Sequence, residues 1–251
     1  MNADKMSYEL YRKIILLIKS CGTHIVLGRD VKDYDKFIIM RHDVEFSPER
    51  AYKLSLIETK EDFCSNYFFQ ITNNSYNIFS KRNLNYINEM VSNGHEIGLH
   101  FHANGLIKEY DIREKIQQEI EVMEKMLKTE IKTFSIHRPT SDILGMNIRF
   151  GNITNAYQSE YFDFVRTERE LECVGIKYIS DARHRWNYGV PDEKIFTQYK
   201  KVQILVHPYS WTEEGFDNLN NFKSLIGEKN RELIDSINCE CDHFAHIRNY
   251  L

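Results

Sequence analysis

Proline is scarce in this chain, with four in 251 residues, and glycine contributes only eleven. No stretch is rich enough in Pro, Gly or Ser to read as a linker, and there is no internal repeat or low-complexity segment. The length suits one large α/β domain with a sizeable core, so residues 1–251 are read as a single domain. Long apolar runs are missing too. The run Ile14-Ile15-Leu16-Leu17-Ile18 is far too short to cross a bilayer, and no transmembrane segment is expected. An excess of one charge is also missing: 33 basic residues stand against 37 acidic ones. That balance gives no electrostatic case for a nucleic-acid partner or an anionic membrane surface. Cysteine is sparse and odd in number, at 21, 64, 173, 239 and 241, which excludes a disulfide framework or paired zinc-knuckle spacing. Cys239 and Cys241 with His243 and His246 offer one alternative metal site, but that tail reads as helical or frayed. The opening residues lack the charged-then-apolar layout of a signal peptide, so a reduced cytoplasmic protein is expected.

What the chain does have is alternation of strands and helices. Residues 7–21 carry Leu10, Ile14, Leu17 and Cys21 at helical spacing, widened by Ile15, Leu16 and Ile18 into a well-buried face. A strand over 37–40 follows. Ser47 then caps a helix with Pro48 at its first position. Strands are expected at 66–70, 96–102, 133–137, 176–180 and 202–206. Helices are expected over 81–93, ending at Asn93-Gly94, and over 109–128. Such alternation argues parallel βα units. The connection between the fourth and fifth strands is long and poorly patterned, which argues against a regular eight-fold barrel.

Polar side chains gather where the apolar runs end. Ile38-Ile39-Met40 leads into Arg41-His42-Asp43-Val44-Glu45, Ile97-Gly98-Leu99 into His100-Phe101-His102, Phe134-Ser135-Ile136 into His137-Arg138-Pro139, and Ile204-Leu205-Val206 into His207-Pro208. Acids and histidines at the C-terminal ends of buried strands are the layout of an α/β-barrel active site. Residues two apart on a strand share a face, so Asp43 with Glu45 and His100 with His102 are expected to converge. Carboxylates and imidazoles are the usual ligands of zinc and similar divalent ions. One carboxylate would hold the metal and the other act as base, with Arg138 orienting a carboxylate and His207 protonating a leaving group. Each residue also has a plain alternative. Asp43 could be a helix cap, Glu45 a solvated acid and His100 a satisfied core histidine. His102 could be a pocket histidine that touches no metal, Arg138 one half of a salt bridge and His207 a strand-end histidine bonded to backbone.

From about residue 36 to residue 211 the chain resembles the polysaccharide deacetylases, a superfamily of carbohydrate esterases related to the rhizobial nodulation deacetylase. Arg41-His42-Asp43-Val44-Glu45 resembles the first motif in its Arg-His-Asp-Val-Asp form, and Gly94-His95-Glu96-Ile97-Gly98-Leu99-His100 the second. His137-Arg138-Pro139 resembles the third, Ser180-Asp181-Ala182-Arg183-His184-Arg185-Trp186 stands at the fourth, and Leu205-Val206-His207-Pro208 resembles the fifth. The resemblance implies a distorted (β/α) barrel of about seven parallel strands. It implies Asp43 as catalytic base, Glu45 and His100 as metal ligands, Arg138 as the residue orienting the base and His207 as general acid. Asp181 and Trp186 would line the substrate groove and the surroundings of His207, and His42, His137 and Arg183 are also expected to touch substrate. Two departures stand out. The second motif's further histidine is replaced by Asn104, with His102 taken as the third ligand, and the first motif ends in Glu45 rather than Asp. The expected activity is removal of an acyl group, acetate foremost, from an N-acetylated sugar, with one divalent ion, zinc, as cofactor. The expected substrate is a small-molecule or lipid-linked sugar intermediate of surface-polysaccharide biosynthesis. The alternatives are a related amidase acting on a non-sugar amide, or a catalytically degenerate barrel that binds a glycan intermediate or partner.

Overall fold

The computed structural model describes residues 5–158, 164–166, 171–173 and 175–247. The first four residues, read above for a leader, and the side chain of Cys173 lie outside that description. The elements follow in order: α1 (Tyr8–Ser20), β1 (Phe37–Val44), α2 (Pro48–Lys60), β2 (Asn66–Phe69), α3 (Lys81–Ser92), β3 (Glu96–Phe101), α4 (Glu109–Leu127) and β4 (Thr133–Ile136). Next come α5 (Ser141–Gly145), β5 (Thr154–Asn155), β6 (Phe164–Arg166), β7 (Leu171–Cys173), β8 (Ile176–Ser180), α6 (Glu193–Gln198), β9 (Lys201–Val206), α7 (Asn218–Glu240) and α8 (Phe244–Ile247).

Seven strands form one parallel sheet in the order β5-β4-β3-β2-β1-β9-β8, and β6 with β7 makes a separate antiparallel hairpin. The sheet curls into the expected distorted barrel, flanked by helices. The long stretch between the fourth and fifth expected strands holds α5, β5 and the hairpin. Among the described residues no backbone ladder joins the edge strands β5 and β8. Side chains span the interior instead: the Gln203 amide donates to the Ala156 carbonyl (3.2 Å), and Arg41 donates to the Tyr157 hydroxyl (2.9 Å).

Period-2 alternation decides what each strand sends inward. On β3, Ile97, Leu99 and Phe101 join the outer core with α3 and α4, while Glu96, Gly98 and His100 take the other face. Gly98 is a glycine because Phe68 fills the barrel beside it; a Cβ there would lie 2.6 Å from that ring. On β1, Ile38 and Met40 pack against Ile14, Ile15 and Ile18 of α1. Leu10, Leu17 and Cys21 are partly buried at the rim of that face, and Leu16, expected to widen it, is exposed on the other side of the helix. Helix caps follow the sequence too. Ser47 accepts the Arg50 N–H ahead of Pro48, and the chain leaves α3 through Asn93 and Gly94, the latter at φ +90°. No helix among the described residues is long and apolar enough to cross a membrane.

Two buried polar assemblies tie the layers together. Arg50 on α2 donates to both Glu228 oxygens (2.8 and 2.9 Å) and to Asn221 (2.7 Å) on α7, and to the backbone carbonyl of Tyr209. On the same helix Glu58 is fully buried and accepts from the hydroxyls of Tyr11, Ser65 (2.6 Å) and Tyr67 (2.6 Å). Burial pushes its carboxyl up to about 7 despite those three donors. Glu58→Ala is therefore expected to cost about 3 kcal/mol or more, because it orphans the buried hydroxyls of Ser65 and Tyr67, each at roughly 1–3 kcal/mol, and leaves the Tyr11 hydroxyl only His42. Glu58→Gln, which still accepts hydrogen bonds, should cost much less. Urea denaturation measures both, and equal losses would mean that acceptor loss is not what destabilises the protein.

Candidate metal and active site

Parallel strands deliver their C-terminal ends to one side, and there a cavity of about 540 Å³ opens. Asp43, Glu45, His100, His137 and His207 all line it. Asp43 is fixed from its own strand. Arg41, two residues earlier on the same face, donates from Nε to Oδ1 (2.9 Å) and from Nη2 to Oδ2 (2.7 Å). The arginine is itself buried, bonded to Gln203 (3.2 Å) and Tyr157, with its guanidinium 4.6 Å from the centre of the Tyr157 ring. Burial would raise the Asp43 carboxyl, but the Arg41 charge and hydrogen bonds, with the nearby His100 and His207 imidazoles, together outweigh it and hold Asp43 well below the usual carboxylate range.

Glu45, His100 and His137 each place a ligand atom within 4.8 Å of the others, the single such group of three among the described residues. His137 Nδ1 lies 3.1 Å from Glu45 Oε1 and 3.1 Å from His100 Nε2. Donors around a tetrahedral ion with bonds of about 2.0–2.1 Å stand roughly 3.3 Å apart, so the spacing fits. Ser135 fixes the His100 tautomer. Its hydroxyl donates to Asp43 Oδ1 (3.4 Å) and so accepts from His100 Nδ1 (2.7 Å), leaving Nε2 bare toward the other two ligands. Burial pushes the His100 imidazole down to about 4, which keeps it in the neutral, ligating form at neutral pH. Glu45 is pulled below its ordinary value: burial opposes this, but the His137 hydrogen bond and the surrounding imidazoles prevail.

Across the cavity, His207 Nδ1 lies 2.7 Å from Asp181 Oδ1. The other Asp181 oxygen accepts from Trp211 Nε1 (2.7 Å), and both accept from the His207 backbone N–H (2.9 and 3.0 Å). Burial disfavours the imidazolium, but the Asp181 carboxylate outweighs it and raises His207 to about 9.

Several expected residues take other places. His102 lies outside the ligand group and packs its ring against that of His137 (4.8 Å between centroids), so His137 stands where His102 was expected. The chain ends β3 at Phe101 and turns through Asn104 (φ +48°) and Gly105 (φ +86°), which leaves Asn104 a turn residue. Arg138 makes no bond to Asp43 among the described residues; Arg41 orients that carboxylate instead. His42 points away from the cavity, because it follows Arg41 by one residue. It is fully buried, with Nε2 2.7 Å from the Tyr11 hydroxyl, and its ring stacks on Tyr67. Asp181 is fully buried and reaches the site only through His207. Trp186 packs on Trp211 (6.1 Å) and does not line the cavity, whereas Arg183 does. Cys239, Cys241, His243 and His246 do not come together as a metal group.

No protein-family model matches the chain, and no curated protein sequence does. Among solved structures it is similar to a CE4 family pseudoenzyme from Bacillus anthracis, at 14% identity, covering 79% of this chain and 62% of that one, with a TM-score of 0.41. It is also similar to the Xyl-CE4 domain of a multidomain xylanase from the hindgut metagenome of Trinervitermes trinervoides (13% identity, 80% and 84% covered, TM-score 0.41). A third is the chitin deacetylase of the fungal pathogen Colletotrichum lindemuthianum (14% identity, 76% and 81% covered, TM-score 0.38). The chain spans less than two thirds of the length of the pseudoenzyme. These likenesses are distant.

The pairing of Arg41 with Asp43 separates the two arginines by their effect on stability. Arg41→Met should cost about 3–5 kcal/mol, because it strands a buried carboxylate. Arg138→Ala should stay within about 0.5 kcal/mol, as for an exposed side chain away from the core. Chemical denaturation at neutral pH distinguishes them; a larger loss at Arg138 would return the orienting role to it.

Proposed function

We propose that this protein is a metal-dependent hydrolase that removes an acyl group, acetate in the simplest case, from the nitrogen of an N-acylated sugar. One observation carries the reading. A single cavity holds a carboxylate and two imidazoles at ligand spacing, a second carboxylate ionised by its own arginine, and a separate imidazole kept protonated by its own aspartate. A hydrolase that cleaves an amide needs these three components. The motif resemblance to polysaccharide deacetylases supports the same choice.

In this reading Glu45, His100 and His137 hold the ion, and zinc suits a set of one carboxylate and two imidazoles. The ion, when bound, supplies a Lewis acid that polarises the acyl carbonyl and acidifies the attacking water. Asp43 takes the proton from that water; Arg41 keeps it ionised and aimed. The amine is a poor leaving group, so the nitrogen must gain a proton as the C–N bond breaks. His207 carries that proton on Nε2, since Asp181 holds Nδ1. The products are the free amine and the carboxylate. We take residues 1–251 as one catalytic domain that works in the cytosol on a small or lipid-linked sugar intermediate.

Metal content tests the ligand set. His137→Ala should lose the ion, and His102→Ala should keep most of it; the reverse result would restore His102 as the ligand. Asp43→Asn should retain metal and lose roughly 10²-fold or more in kcat, since an amide has the shape of the base but cannot take the proton. Near-normal turnover on an N-acetylated sugar would remove Asp43 from the role.

The acid has its own signature. His207 must be protonated to act, so activity should fall as pH rises through about 9. Asp181→Asn removes the charge that raises this imidazole and should move the alkaline limb of kcat to lower pH. An unmoved limb in that variant would assign the limb to another group.

A further inference from the structure

The cavity carries positive charge that neither the fold nor the proposed chemistry uses. Arg138 and Arg183 reach it from the loops after β4 and β8. Both are exposed, and neither forms a hydrogen bond or ion pair with a described residue. The remaining charges in the cavity wall already have partners. Asp43 is neutralised by Arg41, and His207 by Asp181. Glu45 is bonded by His137 and set among imidazoles, which leaves the two arginines as the charges of the wall without a partner among the described residues.

An exposed arginine is ordinarily a solvated one. These two stand on backbone that is held in place. Arg138 has φ +44° and Arg183 φ +63°, in the left-handed region that side chains with a Cβ avoid, and such a conformation persists only where the surroundings fix it. Around Arg183 the fixing contacts are visible. The Ala182 N–H donates to Ser180 Oγ (3.1 Å), the Asn187 side chain donates to the carbonyls of Ala182 (2.7 Å) and Arg185 (2.8 Å), and the buried His184 ring bonds the Phe216 carbonyl (2.8 Å). The same loop presents Tyr188, 69% exposed, at the cavity, an aromatic face of the kind on which a sugar ring lies. Arg138 is set between His137, a candidate ligand, and Pro139.

We propose that Arg138 and Arg183 form a subsite for an oxyanion on the substrate, a carboxylate or phosphate carried by the acylated sugar or by the unit next to it. The assignment rests on the deacylase reading and narrows its substrate class from N-acylated sugars in general to acidic ones. A guanidinium presents paired N–H donors that match either oxyanion. Such a charge-assisted contact is stronger than a bond between neutral groups.

The test uses the metal-loaded protein and three probes that share one N-acetyl group: N-acetylglucosamine, its 6-phosphate and the corresponding uronic acid. Turnover is measured at low and high salt. The acidic probes should exceed the neutral one in kcat/KM by about tenfold or more, as charge-assisted hydrogen bonds allow. The advantage should shrink with salt. Arg183→Ala and Arg138→Ala should abolish it through KM with kcat nearly unchanged, and Arg183→Lys should recover part of it. Which acidic probe leads tells phosphate from carboxylate. Equal rates on neutral and acidic probes would overturn the subsite and leave the deacylase reading standing. If no probe is turned over, calorimetric binding decides: tighter, arginine-dependent binding of the acidic probes upholds the subsite while sinking the deacylase reading, and equal or absent binding overturns the subsite.

Discussion

The Arg41 guanidinium is the point on which the barrel interior depends. It sits in a space that ordinary apolar side chains would fill, and removing it from water is costly. The cost is offset only because every side of the group is met. Asp43 on β1 takes two of its N–H bonds, Gln203 on β9 and Tyr157 beyond β5 take others, and the Tyr157 ring covers its face. Asp43 and Gln203 belong to the neighbouring strands β1 and β9, whereas Tyr157 follows the edge strand β5 at the far side of the sheet. The guanidinium thus ties β1 and β9 to the chain beyond the edge strand β5, and it ionises Asp43 in the same contact.

Three buried carboxylates show how partner chemistry sets the state of one functional group. Asp43 faces a guanidinium and is driven toward the anion. Glu58 accepts from three hydroxyls beside the His42 and His95 rings, which burial keeps neutral, and burial pushes it toward the neutral acid. Asp181 receives an imidazole, an indole N–H and a backbone N–H, and its charge is passed on as a stabilised proton on His207. A base, a structural acceptor and a support for an acid arise from one carboxyl chemistry in three surroundings.

Much of this was legible in the chain. The strands of the barrel are apolar runs with clean boundaries, and their polar ends marked the cavity. The elements that escaped notice are α5, β5, the following hairpin, α6 and α7. The first four are too short to show a period, and α7, though 23 residues long, buries only Asn221 and Leu225 and so carries a weak apolar stripe. Within the site, residues on one strand were within reach of the alternation rule. Applied to Arg41 and His42, it places Arg41 beside Asp43 and His42 on the opposite face, as observed. The choice between His102 and His137 was not within reach. Both stand just past a strand end, and only the curl of β3 against β4 brings His137 between Glu45 and His100. Trp186 shared a motif with Asp181 and Arg183, yet its ring turned to the outer core. Glu58 left a faint trace as an acid one turn beyond Leu54 on the buried face of α2.

The hold of Arg50 on α7 has a mechanical consequence. The same guanidinium grips Glu228 and Asn221 on that helix and the backbone of Tyr209, whose ring forms part of the cavity wall two residues beyond His207. Helix and wall are therefore linked through one rigid planar group with no slack between them. A load applied to α7 from outside, by whatever leans on its exposed side, is delivered to the wall beside the proton donor rather than absorbed in the loop that joins them.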